Sequence, residues 1–201
     1  GRGKHDGKEG NLAYHNSLMV QFWSALATRD TRLMTHVLAT HFPDRLTNAT
    51  YATYIRCHDD IGWNVLKPEL NPEEYRKLQF ASRFFSGNTP NSFANGISFQ
   101  ANDPNAVHGT NGMLSELVGW NKPENDEGFQ RYRLLMSFVF ASAGIPMIYM
   151  GDELAQGNNA DYDGLESGLI QAGTEVAGQP NKQPITQSVD SRDIHRPKLD
   201  E

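Results

Sequence analysis

Six consecutive residues, Ile145-Pro-Met-Ile-Tyr-Met150, form a short run without a single charge. A strand that is apolar on both faces must be covered on both sides, which is the situation of a parallel sheet between layers of helix. Pro146 is tolerated near the start of such a strand, where only a terminal ladder donor is lost. A second run, Tyr51-Ala-Thr-Tyr-Ile-Arg-Cys57, is rich in aromatic and β-branched residues and predicts a strand over 51–57. Asn11–Tyr14 is a further candidate strand. The two main runs each stop in acidic residues, His58-Asp59-Asp60 after the first and Gly151-Asp152-Glu153 after the second. The two strands are therefore expected side by side and parallel, with both acidic ends at one edge, as at an α/β active site.

Helical periodicity fills the intervals. Met19, Phe22, Trp23, Leu26, Leu33, Met34, Val37 and Leu38 recur at helical spacing and predict one long helix over 16–41, capped by Asn16 or Ser17 and ended before Pro43. Asn71-Pro72-Glu73-Glu74 predicts a helix start, with Asn71 as cap, Pro72 in the first turn and Glu74 placed for a capping box; that helix is expected to run to about Phe85. The Gly/Asn/Pro-rich stretch 87–109 reads as a loop and about 110–119 as a short helix. Phe129, Tyr132, Leu135, Met136, Val139 and Phe140 predict a helix over 127–143, stopped by Gly144. From 157 to 189 Gly, Asn, Gln, Asp and Thr dominate, and the segment reads as a long irregular loop or disordered insertion. Helices alternating with parallel strands make the fold class α/β.

Composition narrows the function. Eighteen basic against twenty-four acidic residues leave a net charge of −6, which argues against a nucleic-acid partner. No apolar run approaches the ~20 residues of a membrane span, so no membrane partner is expected. The first residues lack the apolar core of a signal peptide and the chain has no initial Met, so it reads as part of a longer, cytoplasmic protein. One cysteine, Cys57, excludes an internal disulfide; inside a strand it reads as a buried, inert thiol.

The sharpest candidate site is His58-Asp59-Asp60, where an imidazole stands beside two carboxylates. The competing reading is a polar strand-to-loop junction with a capping Asp. A metal is not expected: three adjacent residues would have to turn toward one ion, and no second cluster supports them. Gly151-Asp152-Glu153 reads either as an active-site edge or as a tight turn. Asp190-Ser-Arg-Asp-Ile-His-Arg-Pro197, with two arginines and a histidine, suits carboxylate or sugar-hydroxyl recognition, or else is a solvated terminal segment. Trp23, Trp63 and Trp120 are core residues or sugar-stacking platforms. Trp63 alone lies beside a candidate site.

The block Tyr54-Ile-Arg-Cys-His-Asp-Asp-Ile-Gly-Trp63 resembles amylosucrases of the α-amylase superfamily, glycoside hydrolase family 13. Leu12-Ala-Tyr-His-Asn16, Ser24-Ala-Leu-Ala-Thr-Arg29, Ser92-Phe-Ala-Asn-Gly96, Ile145–Glu153, Asp190-Ser-Arg192 and His195-Arg-Pro197 are similar to the same family in the same order. The resemblance covers about 1–160 and 190–201. It implies a partial (β/α)8 TIM barrel, with 51–57 as strand seven, 145–150 as strand eight and Asn11–Tyr14 as a candidate for strand six. Residues 1–201 would then be one incomplete catalytic domain, with 157–189 as an insertion in it.

The same resemblance implies roles. Asp59 corresponds to the catalytic carboxylate that holds sugar hydroxyls and favours an oxocarbenium-like ring. His58 binds the −1 glucose, Asp60 lines the acceptor side, and Arg192 closes the pocket floor through an ion pair with an upstream residue. The substrates implied are sucrose and an α-glucan or other sugar acceptor, with no cofactor and no metal. A retaining transfer also needs a nucleophile and an acid/base carboxylate about 5–5.5 Å apart. The family supplies these from strands ahead of Gly1, so the 201-residue chain alone is expected to be inactive. Two departures stand out: Asp193 occupies a position usually held by Trp, and an acceptor-site arginine would fall at Ala106. The alternative function is a non-catalytic carbohydrate-binding or interaction relative of the same fold.

Overall fold

The computed structural model describes residues 10–41, 48–65, 70–100, 109–120, 126–159 and 191–196. The expected insertion at 157–189 lies outside these residues except for its first three, as does Ala106. The chain is mixed α/β: five helices and two three-stranded sheets, with no closed barrel among the described residues.

The first sheet is parallel. β1 (Leu12–Tyr14) pairs with β2 (Thr50–Thr53), and β2 pairs with β6 (Ile145–Pro146), in the order β1-β2-β6. Leu12 faces Thr50, and Ala52 faces Ile145. The two main strand runs are thus adjacent and parallel, but both are shorter than their apolar runs. The ladder ends with Met147 N–H donating to the Thr53 carbonyl at 2.9 Å. Past Thr53 the strand has no ladder partner among the described residues; on the β1 side the chain has already turned into a helix at His15. Tyr54 and Ile55 stay buried without pairing, and the Ile55 carbonyl accepts from Trp23 Nε1 at 2.8 Å. Cys57 therefore lies beyond the strand and is only half-buried.

The run 145–150 also departs from expectation in burial. Ile145, Ile148 and Met150 are 53%, 40% and 52% exposed. Their apolar character calls for a covering layer, and among the described residues none lies over them. Gly144, at φ 127°, makes the turn into β6 against β2; a Cβ there would stand 2.5 Å from the Tyr51 carbonyl oxygen.

The second sheet is antiparallel: β3 (Ile61–Gly62), β5 (Gly109–Asn111) and β4 (Ile97–Phe99), in the order β3-β5-β4. Its strands of two or three residues lie partly where a loop was expected, since so short a run carries no alternation to read. The expected helix at 110–119 is correspondingly trimmed to α4 (Leu114–Leu117).

The single helix expected over 16–41 is two, α1 (Asn16–Thr28) and α2 (Arg32–His41). Arg29 adopts a left-handed φ of 53°, and Asp30 accepts from Arg32 N at 2.9 Å, a local bond that competes with helix continuation. Asp30 also pairs with Lys77 at 2.8 Å, tying this break to α3 (Pro72–Phe85). The cap of α1 is His15 rather than Asn16 or Ser17. His15 N–H completes the parallel ladder on Ala52 O at 3.0 Å, while its ring accepts from Leu18 N at 3.3 Å. In α3 the expected capping box is present: Asn71 accepts from Glu73 N and Glu74 N, and Glu74 accepts from Asn71 N at 3.0 Å. α5 (Asp126–Ala141) follows its predicted range closely.

The core joins α1, α3 and the antiparallel sheet. Trp23 meets Phe85 edge-on at 4.8 Å, and Trp63 stacks on Phe85 at 6.0 Å. Trp23 and Trp63 are wholly buried, and Trp63 Nε1 donates to Thr110 at 2.9 Å. Trp63 is thus a core residue and offers no face to a sugar. No helix among the described residues is long and apolar enough to cross a membrane.

Candidate functional site

The segment Arg56–Asp60 connects the end of β2 to the start of β3, so it sits on the seam between the two sheets. Its backbone is held from outside the sheets by a distant piece of chain, the 3-10 turn Ser191–His195 with Arg196. The His58 carbonyl accepts from Arg196 Nε at 2.9 Å and lies 3.2 Å from His195 Nε2. His195 Nδ1 accepts from Gly112 N–H at 3.2 Å, so the ring proton is on Nε2 and His195 donates to His58. Burial, helped by nearby Arg56, pulls the His195 pKa down to about 3 and keeps the ring neutral. The turn is tied down further by Asn111 Nδ2 donating to Ser191 at 2.9 Å and by Asn159 N–H donating to the Ile194 carbonyl at 2.7 Å.

Under this brace the side chains named from sequence converge in part. Asp59 Oδ1 pairs with Arg192 at 2.8 Å and lies 3.7 Å from Arg196, while Asp59 Oδ2 lies 3.5 Å from His58 Nε2. The Arg192 guanidinium also sits over the Phe99 ring at 5.2 Å. The structure thus brings His58, Asp59 and Arg192 together. Asp60 turns the other way, toward β5: a Cβ on Gly109 would fall 1.9 Å from Asp60 Oδ2. The His58 and Asp59 side chains are 57% and 48% exposed, so the group is a shallow surface site. A surface concavity of about 570 Å³, lined by Tyr132, Arg133, Met136 and Phe140 among others, shares none of these residues.

Beneath lies a second layer that sequence reasoning did not assign. Arg56 and Asp152 form an ion pair of 2.9 Å with both side chains almost wholly buried. Asp152 Oδ1 also accepts from Leu114 N–H at 3.3 Å, and Arg56 donates to the His195 carbonyl at 3.2 Å. The Arg56 guanidinium stacks on Tyr149 at 4.4 Å. Burial pushes the Asp152 carboxyl up to about 6, against the pull of Arg56. A signal for this pair was present in the chain: an arginine in an otherwise apolar strand-like run must find a buried partner, and the acidic end of the neighbouring strand is within reach.

Cys57 completes the group. One donor atom each from Cys57, His58 and Asp59 lies within 4.8 Å of the others. Burial raises the Cys57 thiol above its ordinary pKa. The sequence reading weighed His58, Asp59 and Asp60 together; the residues whose donor atoms gather are Cys57, His58 and Asp59, while Asp60 lies toward β5. Chemically, the site offers a carboxylate held by two arginines, an exposed imidazole and a thiol. The sequence matches no protein-family model.

Proposed function

We propose that this chain is part of an amylosucrase-like, sucrose-acting retaining α-glucosyltransferase or glycoside hydrolase, and that it forms the C-terminal portion of the enzyme's (β/α)8 barrel. The observation that carries the reading is the Arg192–Asp59 ion pair at 2.8 Å. It joins two segments far apart in sequence that the resemblance marks separately as sugar-binding. The parallel order β1-β2-β6 supports it too, since consecutive barrel strands would pair in this way.

In this reading Asp59 accepts hydrogen bonds from the hydroxyls of the −1 glucose and favours its distortion toward an oxocarbenium-like ring. Arg192, holding Asp59 Oδ1, keeps the carboxylate aimed. His58 donates to the same sugar, and Asp60 lines the acceptor side. Sucrose is the donor, an α-glucan or other sugar the acceptor, and the cytoplasm the compartment. The nucleophile and the acid/base belong to the rest of the enzyme.

Asp59→Asn, made in the complete enzyme, tests the reading. The fold should persist while sucrose turnover falls by roughly 10²–10³ or more, the cost of losing one group that stabilises transition-state charge. Turnover at the wild-type rate would remove Asp59 from the catalytic set. A complete protein that binds sucrose yet never releases fructose would favour the non-catalytic, carbohydrate-binding relative.

A further inference from the structure

We propose that Cys57, His58 and Asp59 form a binding site for a borderline-soft divalent metal ion such as Zn²⁺. The three residues are consecutive, yet one donor atom from each lies within 4.8 Å of the other two. The end of β2 makes this possible. In a pleated strand neighbouring side chains point to opposite faces. The β2 ladder stops at Thr53, so residues 57–59 are released from that alternation.

The spacing suits an ion. His58 Nε2 and Asp59 Oδ2 are 3.5 Å apart. A tetrahedral ion at about 2.0–2.3 Å from nitrogen, oxygen and sulfur needs its donors about 3.3–3.7 Å apart. The nitrogen and oxygen already meet that spacing, and the longest separation in the group has to shorten by about 1 Å at most. Thiolate, imidazole and carboxylate together favour Zn²⁺ or a similar ion over the hard cations Mg²⁺ and Ca²⁺, which prefer all-oxygen shells. Three protein donors leave a coordination position for water, and the exposure of His58 and Asp59 leaves it open to solvent.

Two further features fit. Arg192 holds Asp59 Oδ1, leaving Oδ2 toward His58; a carboxylate ligand is commonly oriented by such a hydrogen bond. The arginines do not make the locality cationic. Arg56 is met by Asp152, Arg192 by Asp59, and Arg196 by Asp59 and Asp193. Binding breaks the Cys57 S–H bond, forms a metal–sulfur bond and releases the thiol proton to solvent. The inference does not depend on the sugar-binding reading. If both hold, the ion and the sugar compete for His58 and Asp59, and Zn²⁺ inhibits.

Cobalt(II) is the probe, because a cobalt–thiolate bond absorbs strongly in the near ultraviolet and cobalt held by nitrogen and oxygen alone does not. Cys57 is the chain's one cysteine, so that band reports this residue only. The reduced chain titrated with cobalt chloride should develop the band at micromolar metal and lose it when Zn²⁺ is added. Cys57→Ser should abolish it. His58→Ala and Asp59→Asn should each require about tenfold more cobalt, with circular dichroism showing unchanged helix content in each variant. Absence of the band at millimolar cobalt in the folded chain would overturn the proposal. So would a band whose midpoint neither His58→Ala nor Asp59→Asn moves, since that describes a lone thiol. Neither result bears on sucrose turnover, so the two readings fail separately.

Discussion

Arg56 is the residue whose surroundings say most about how the site is held. Its guanidinium is taken out of water together with Asp152, and each would be very costly to bury alone. Removing one partner leaves the other charge unpaired. Arg56→Met or Asp152→Asn should each cost about 3–5 kcal/mol of stability, read by urea unfolding. Replacing both, Arg56→Met with Asp152→Leu, should recover much of that loss. Recovery stays incomplete because Arg56 also serves the His195 carbonyl and Asp152 the Leu114 N–H. Strictly additive losses would show that the two side chains are not coupled. Asp59 is the contrasting case. Its partners Arg192 and Arg196 are part-exposed, so its pairing acts on orientation more than on stability.

At the scale of elements, the junction of β1 and α1 turns on one side chain. His15 ends the sheet with its backbone and starts the helix with its ring. A ring nitrogen can accept from Leu18 N–H only while it is unprotonated. Burial holds the His15 pKa down, to about 4, below the ordinary value of 6.5. The folded chain therefore binds fewer protons than the unfolded chain between those values. The stability contributed by neutral His15 is complete above pH 6.5 and is lost as pH falls toward 4. His15→Asn keeps a capping acceptor and cannot titrate. The drop in urea midpoint between pH 7 and pH 5 should be smaller in that variant than in the parent chain. An equal drop in both would show that His15 does not couple folding to pH. The break between α1 and α2 has a similarly local cause, since the apolar spacing continues through it while Asp30 offers the backbone a different partner.

At the scale of the whole molecule, apolar surface is distributed unevenly. Leu12 and Tyr14 on β1, Ile145, Ile148, Met150 and Leu154 at and beyond β6, and Leu134 and Phe140 on α5 are all exposed. Among the described residues, β1 and β6 are the two edges of the parallel sheet, each with one side unpaired. Unpaired edges beside apolar side chains favour association. The 201-residue chain should therefore scatter light as species larger than a monomer at micromolar concentration. Phe140→Glu combined with Ile145→Lys should shift it toward monomer. A single sharp monomer peak from the parent chain would show that this surface is tolerated in water.

The linear chain determined the local features: the capping box at Asn71, the start and stop of α5, the parallel pairing of the two apolar runs, and the clustering of polar residues at their ends. Each depends on side chains within one turn or on an apolar pattern that only one kind of sheet can bury. Tertiary structure alone decided what the linear pattern leaves open. It set how far each strand runs, because a ladder lasts only as long as its neighbour does. It made His15 the cap, because the sheet releases the chain there. It buried Trp63 in the core, paired Arg56 with Asp152, and brought Arg192 onto Asp59 across a long separation in sequence. These last contacts join residues far apart along the chain, and no spacing within a segment encodes which distant charge will arrive to satisfy a buried or half-buried partner.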